Sequence, residues 1–509
     1  MQSLNLELPT FREIERARLK RQRAQHWRAM QQRRFEAAVQ NRLTNDWVAP
    51  VTSINAELRQ GLRTMRARAR ELAHNDGYMK KFLSMCRSNI VGPRGIRLQV
   101  RATNGGDELD SVLNAQIEAA WSRWCHKESC TVSQKLTWLD VQNLVVTQLF
   151  RDGECLVRKV TAANGFGFAL KLIDVSYLDE TYNEQLANGN RVLMSVEVDQ
   201  DERPVAYYLT TPYGFTQTQS RPMERVRVPA AEIIYLPFWL DDESATRSAP
   251  AAHAAMRNLR ELGAYIEAKV VASRIEACQM GFLIPPETDE PPALGEEQAI
   301  PPEVEAEPAI FPVLPPGYDM KMFDPKNPNG QEGEFLKAML KGIAVGFDVD
   351  YSTFASDMRE VNFSSIRAGI MEVREVWKAW QQWIIEHLHR EVYMPWLRSA
   401  LMAGALEGVL PRDIDRVINA RWLPRGWGYV NPLQDGQADA LRVHSSFTTR
   451  TAVAADEGED LEEIFQTLKA ETELAAKYGI TLTAGPPGAQ PPTNNTQNQP
   501  TDATDQAGA

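Results

Sequence analysis

The sequence predicts an α+β protein in which helical and strand regions are segregated along the chain. Three observations carry this. Apolar residues recur at helical spacing across 54–150 and again after 331, and β-branched and aromatic residues crowd the stretch Cys155–Leu236. A Pro-rich acidic segment, 284–330, is bracketed by two further helical patterns, 253–282 and 331–347. At 509 residues with 43% hydrophobic and 24% charged content, the chain can bury a sizeable core in three or four regions.

Residues 12–34 carry Arg12, Arg16, Arg18, Lys20, Arg21, Arg23, Arg28, Arg33 and Arg34 against Glu13 and Glu15, a helix with a solvated basic face. It reads either as contact with nucleic acid or an acidic partner, or as a charged arm. Across 54–90, Arg63, Arg66 and Arg70 share one helix face. The segment Asn89–Ile96 turns the chain into an extended run, Arg97–Arg101, before helices over Leu109–Trp124 and Trp138–Phe150.

Strands are expected at Cys155–Val160, Phe168–Ile173, Arg191–Val198, Pro204–Thr210 and Ile233–Leu236, forming a small, mainly antiparallel sheet. Arg151-Asp152-Gly153-Glu154 reads as a tight turn between helix and strand.

In the first bracketing helix, Met256, Leu259, Ile266 and Val270 form one apolar side and Leu262, Tyr265, Ala272 and Ile275 another. Arg260, Glu267 and Arg274 fall seven apart and form a polar stripe. Two apolar sides suit a helix with neighbours on both flanks, and a helix buried within one subunit would show similar breadth. Leu259, Leu262, Ile266 and Val270 are therefore candidates for contacts between subunits. The following segment holds twelve prolines between Pro285 and Pro328. From Leu283 to Gly317 it carries eight acidic residues and no basic one, Glu296, Glu297, Glu303 and Glu305 among them. Proline blocks helix, so a loop-rich excursion with one short sheet element is expected.

The second bracketing helix places Phe335, Leu336, Met339, Leu340, Ile343 and Phe347 on one side and Lys337 and Lys341 on another. A non-helical stretch, Asp348–Phe363, leads into a long helix. Its apolar stripe, Ile366, Ile370, Val373, Trp377, Trp380, Ile384 and Leu388, runs on until Pro395 ends it. Trp377, Trp380 and Trp383 read as packing residues rather than a platform for bases. Residues 434–478 suggest a helical pair broken near Gly458, and the composition beyond Gly485 cannot build a core.

Nothing in the sequence reads as catalytic. There is no phosphate-cradling G-x-x-x-x-G-K-[ST], no G-x-S-x-G and no H-E-x-x-H. Cys125 and Cys130 lack a second pair of ligands for zinc. Five scattered cysteines suit free thiols in a reducing compartment. Neither a signal peptide nor an apolar run long enough to span a membrane is present, so no membrane association is expected. No cofactor is expected. A net charge of -11 argues against a general DNA-binding protein.

Segments through nearly the whole chain resemble the portal proteins of tailed bacteriophages, lambda-like branch. They include Arg66–Leu72 with Asn75, Asn89–Gly92 with Gly95–Gln99, Trp121–Trp124, Asp152-Gly153-Glu154, and Arg203–Tyr207. Asn362–Ala368 and Pro424-Arg425-Gly426-Trp427 follow in the same order. One departure is Ser248, after Arg247, where glycine is often found.

The resemblance implies a portal fold assembling as a dodecameric ring at one capsid vertex. Its divisions would be a basic arm (1–24), an α+β wing (25–250), a stem helix (251–282), a clip (283–330) and a second stem helix (331–347). A channel loop (348–363), a long helix with wing return (364–433), a helical crown (434–482) and a disordered tail (483–509) complete it.

It further implies non-specific passage of double-stranded DNA, docking of the terminase large subunit and then head–tail adaptor proteins, and contact with major capsid and scaffolding proteins. Assembly in the host cytoplasm and a final place in the virion follow. Lys337, Lys341, Asp357, Arg359 and Glu360 become channel-facing candidates, and Glu296, Glu297, Glu303 and Glu305 partner-binding candidates on the clip. Two other classes stay open: a nucleic-acid-processing enzyme or motor subunit, and another structural component of the head–tail connector.

Overall fold

The computed structural model describes residues 52–104, 108–210, 225–238, 242–277, 281–284, 319–322, 332–359, 363–410, 414–418 and 420–480, with Arg18 and Lys20. The rest of the basic arm, Glu360, the four clip glutamates and the tail after 480 lie outside the described residues.

Helix α1 (Ile54–Asn75) turns Leu58, Leu62, Arg66, Ala69 and Leu72 inward, at steps of four and three. Asp76 then caps α2 (Gly77–Cys86) by accepting from the Met79 amide at 2.7 Å. A π-helical turn, Arg87–Val91, carries the chain to Gly92, whose φ of 74° ends it. Strand β1 (Arg97–Val100) follows, then α3 (Ser111–Trp124) and α4 (Trp138–Asp152). A capping box between Thr137 and Asp140 starts α4, and left-handed Gly153 ends it. A Cβ at Gly153 would sit 2.3 Å from the Ala249 carbonyl carbon, so the turn admits glycine alone.

The β region contains two antiparallel sheets rather than one. Strand β2 (Glu154–Val160) lies between β3 (Ala169–Ile173) and β9 (Ile233–Pro237). The other sheet runs in sequence through β4 (Glu184–Gln185), β5 (Arg191–Leu193), β6 (Val196–Val198), β7 (Pro204–Thr210) and β8 (Arg225–Pro229). The single strand expected over Arg191–Val198 is instead a tight hairpin, because Met194 (φ 48°) and Ser195 (φ 69°) reverse the chain within it. Buried Leu156, Ile173, Val196, Tyr207 and Val228 pack between the sheets.

After β9 the chain enters α5 (Met256–Ala277), a two-stranded ribbon of β10 (Gly281–Ile284) with β11 (Asp319–Met322), and α6 (Glu332–Gly346). The stretch expected to be non-helical holds α7 (Tyr351–Ala355), because Asp350 accepts from the Thr353 amide at 2.8 Å and nucleates a turn. Helix α8 (Phe363–Ile384) passes through a π-helical turn, Ile385–His389, into α9 (Arg390–Met402). Pro395 therefore sits inside the helical run rather than ending it. Val392 and Tyr393 before it and Trp396, Leu397 and Ala400 after it are all buried, enough apolar surface to offset the roughly 3 kcal/mol proline penalty.

Strand β12 (Ala420–Leu423) returns to pair antiparallel with β1. Three C-terminal helices follow, α10 (Pro432–His444), α11 (Arg450–Asp456) and α12 (Leu461–Lys477). The expected pair is broken twice, at Gly458 and also before Thr449, where Ser446 takes φ 60°. The main core is aromatic. Trp121 and Trp396 meet edge to face at 4.9 Å, and the buried Trp124 indole donates to the Phe168 carbonyl at 3.0 Å. Trp380 stacks on Phe238 at 5.1 Å, so the tryptophans of α8 are packing residues, as expected.

Candidate functional site

Along the helix pair α5/α6, coverage by the rest of the chain falls off from the base outward. At the base, Leu259 (1% exposed) and Leu262 (2%) join Ile343, Ala344 and Phe347 in the main core. Toward the ribbon, Ile266 (39%), Val270 (45%), Val271 (46%) and Phe335 (47%) stand in solvent. Tyr265 meets Phe335 at 5.1 Å, and Lys269 pairs with Glu332 across the helices. Of the four subunit-contact candidates, Leu259 and Leu262 are thus occupied within the chain, while Ile266 and Val270 present apolar surface. Their helix was expected to be apolar on two sides along its length. The base of the helix is already buried, which the spacing alone could not distinguish.

Four of the five channel candidates gather around one side chain that sequence reasoning passed over, Tyr351. Its hydroxyl donates to Asp357 Oδ2 at 3.1 Å, and the ammonium of Lys341 lies 5.7 Å from its ring centroid. Arg359, almost fully exposed, grips Asp357 from Nε at 2.9 Å. Hydrogen bonds from the Arg359 side chain and backbone, with one from Tyr351, hold the Asp357 carboxyl well below its ordinary range. Lys337 is close enough for its charge to act on the Tyr351 hydroxyl. The loop is anchored by Phe354, which is 2% exposed and meets Tyr78 and Phe347, each at 5.7 Å.

A second constellation is buried. Glu154, fully enclosed, accepts from Arg247 Nε at 2.8 Å and Nη2 at 2.7 Å, from Arg66 Nη2 at 2.5 Å and from the Tyr235 hydroxyl at 2.8 Å. Arg66 also pairs with Glu180 at 2.7 Å, and Arg70 with Asp152 and Asp174, both at 2.8 Å. Burial pushes the Glu154 carboxyl up, but Arg247 and Arg66 outweigh it and hold the group below its ordinary value. In the same way, burial opposes but Arg70 and Ser176 prevail at Asp174, which falls to about 2.

This node ties α1, the α4–β2 turn and the segment leading into α5. Asp152 and Glu154 therefore do more than shape a turn. The signal was present in two arginines four apart on a helix face and two carboxylates flanking a glycine. Arg247 keeps its place beside Ser248, whose φ is not positive, so glycine is not required there.

Two distant motif segments also meet. Asn89 Oδ1 accepts from Arg425 Nη1 at 2.9 Å and from the Trp427 indole at 3.3 Å. Gln381 donates to the Asn89 and Arg425 carbonyls at 2.8 and 3.0 Å. A Cβ at Gly92 would lie 2.8 Å from that of Arg425, and one at Gly426 only 2.1 Å from the Glu457 carbonyl carbon. From the Asn362–Ala368 segment, Arg367 pairs with Asp435 at 2.6 Å.

Among the described residues, no three His, Cys, Asp or Glu side chains converge at metal-binding geometry. Burial pushes the Cys125 and Cys130 thiols up. No helix of the described residues is long and apolar enough to cross a membrane.

The profile of the family described as phage portal protein, lambda family, matches residues 40–381. The chain is 31% identical over 459 residues to a probable portal protein of Halomonas phage phiHAP-1, covering 88% of each. It is 21% identical over 461 residues to the portal protein of Escherichia phage N15, covering 82% of this chain and 86% of that protein. To portal protein B of Escherichia phage lambda it is 20% identical over 473 residues, covering 85% and 88%. Of the segments that carried the resemblance, Arg66–Leu72 and Asp152-Gly153-Glu154 meet in the buried ionic node, and Asn89–Gly92 and Pro424–Trp427 meet in the Asn89–Arg425 contact. The chain belongs to the lambda family of phage portal proteins, a non-catalytic component of the tailed-phage virion.

Proposed function

We propose that twelve copies assemble into a ring at a capsid vertex, with DNA packaged and ejected through its channel. The observation that carries this reading is the α5/α6 pair. A hairpin of helices anchored at its base and apolar along its exposed length lacks a covering that neighbouring copies would supply. Residues 251–282 and 331–347 would form the stem and 283–330 the clip. The wing would comprise 25–250 with the return over 364–433, and the crown 434–482.

In this arrangement Ile266 and Val270 pack against a neighbour, and the loop 348–363 faces the lumen. Lys337, Lys341, Asp357, Arg359 and Glu360 then lie near DNA. Ring symmetry repeats each charge around the channel. A purely basic lumen would hold DNA by counterion release, whereas the mixed charges around Tyr351 favour sliding.

The clip carboxylates Glu296, Glu297, Glu303 and Glu305 would form an acidic rim. It steers the basic face of the terminase during packaging and of an adaptor protein afterwards. Contacts with capsid and scaffolding proteins fall to the wing. Replacing all four glutamates with Gln tests the clip role. Rings should still assemble, while packaging or tail joining weakens in a salt-dependent way. Unchanged packaging and infectivity would reduce those carboxylates to solubilising a loop.

A further inference from the structure

Away from the helix pair and the Tyr351 cluster, three arginines converge on one hollow. Arg101, Arg390 and Arg421 line an open depression of about 490 Å³, with buried Trp422 and Ile385 on its wall and Gln382 at its edge. The register of β1 against β12 explains two of them. Gln99 stands opposite Arg421, and side chains alternate along a strand, so Arg101 shares the face of Gln99 and Arg421. Arg390 arrives from the other side, as the first residue of α9 after the π-helical turn.

The charges in this hollow do not balance. Arg390 pairs with Glu386 at 2.9 Å, and Gln382 donates to the same carboxylate at 2.9 Å. Among the described residues, Arg101 and Arg421 have no carboxylate within ion-pair distance. Within this hollow three guanidinium groups face one carboxylate, a local excess of positive charge, although Arg101 also borders the neighbouring depression that holds Glu118, Asp460, Glu462 and Glu463. An anion entering it relieves that repulsion. The planar forks of several arginines match a phosphate, whose oxygens point in several directions, better than a single flat carboxylate.

We propose that this hollow binds a phosphate group, either a phosphodiester of duplex DNA or free inorganic phosphate. The inference does not need the lumen assignment, because none of these residues belongs to the Tyr351 cluster. It can therefore fail while the channel reading stands, and the reverse.

The test uses the full chain in its assembled form. A fluorescently labelled duplex of about 20 base pairs is titrated by anisotropy across a salt series, and inorganic phosphate is added as competitor. Relative to wild type, R101Q/R421Q should lose at least about tenfold in duplex affinity at low salt. The slope of log affinity against log salt should fall by about 2, roughly 0.9 for each lost phosphate contact. R101Q alone, at an exposed position, should lower the slope by about 1 and serves if the double variant misfolds. R101K/R421K should keep the slope and lose part of the affinity, since lysine retains charge without the fork.

Displacement of duplex by millimolar phosphate, with the same arginine dependence, identifies a site for any phosphate. Loss of duplex binding without such displacement identifies the DNA backbone as its source. Unchanged affinity and slope in a folded R101Q/R421Q protein would overturn the proposal. So would a polyglutamate peptide that competes better than phosphate with the same arginine dependence, reassigning the hollow to an acidic protein.

Discussion

Replacing Glu154 with Gln removes one charge and almost no volume from the buried node, so the change tests electrostatics rather than packing. Arg247 and Arg66 would keep their places with only Glu180 left as a carboxylate partner. The Gln amide would also turn a donor toward groups that can only donate. Removing one partner of a buried ion pair costs about 3–5 kcal/mol, because the stranded charge is not resolvated.

The pH dependence has a definite sign. The Glu154 carboxyl is held below its ordinary value in the folded chain. Its contribution is therefore full above the unfolded glutamate pKa of about 4.3 and is lost as pH falls through the folded value. The gap between wild type and E154Q should be widest near neutrality and narrow on acidification. Urea unfolding followed by tryptophan fluorescence reports it, since the main core is tryptophan-rich. Double replacement, E154Q with R247M, should cost less than the sum of the two singles. An E154Q protein within about 0.5 kcal/mol of wild type at pH 7, or a gap that widens in acid, would refute the account of this node.

Other substitutions probe the remaining regions. I266D should leave the monomer folded, since Ile266 is exposed in the single chain, but abolish higher-order assembly measured by light scattering after size exclusion. Normal assembly would move that helix away from the subunit interface. K337Q/K341Q should weaken salt-sensitive retention of duplex DNA by assembled rings without altering ring size. Identical retention would place both lysines away from DNA. G426A should destabilise the junction with Gly458 by about 1–3 kcal/mol, since its Cβ would meet the Glu457 backbone. Limited proteolysis of the C-terminal helices should then quicken, and an unchanged digestion rate would contradict that packing.

Elements marked by a strong period or a cap were readable from the residues. Trp138–Asp152 has its capping box, its apolar stripe and its terminal glycine in the sequence, and it forms where expected. The helix pair around the Pro-rich segment was equally plain, and its one short sheet element is the β10–β11 ribbon. Failures arose where tertiary packing overrides a local rule. Pro395 reads as a stop, yet the buried face from Val392 to Ala400 keeps the helix going. Met194 and Ser195 look like strand residues and adopt positive φ only because two strands must fold back there. The ionic node could not be assembled from spacing, since Arg66, Glu154 and Arg247 are brought together by the tertiary fold. The same holds for the Arg101–Arg421 pair, which depends on the β1–β12 register.

Assembly as a ring requires that the exposed apolar length of α5 and α6 be covered by other copies of this chain. Imaging the purified full-length protein by electron microscopy, with symmetry determined from end-on views, tests that claim most directly. The expected result is a twelvefold ring with an open central channel and Ile266 and Val270 turned toward the adjacent subunit. A monodisperse monomer, or a closed oligomer without a hole, would contradict it.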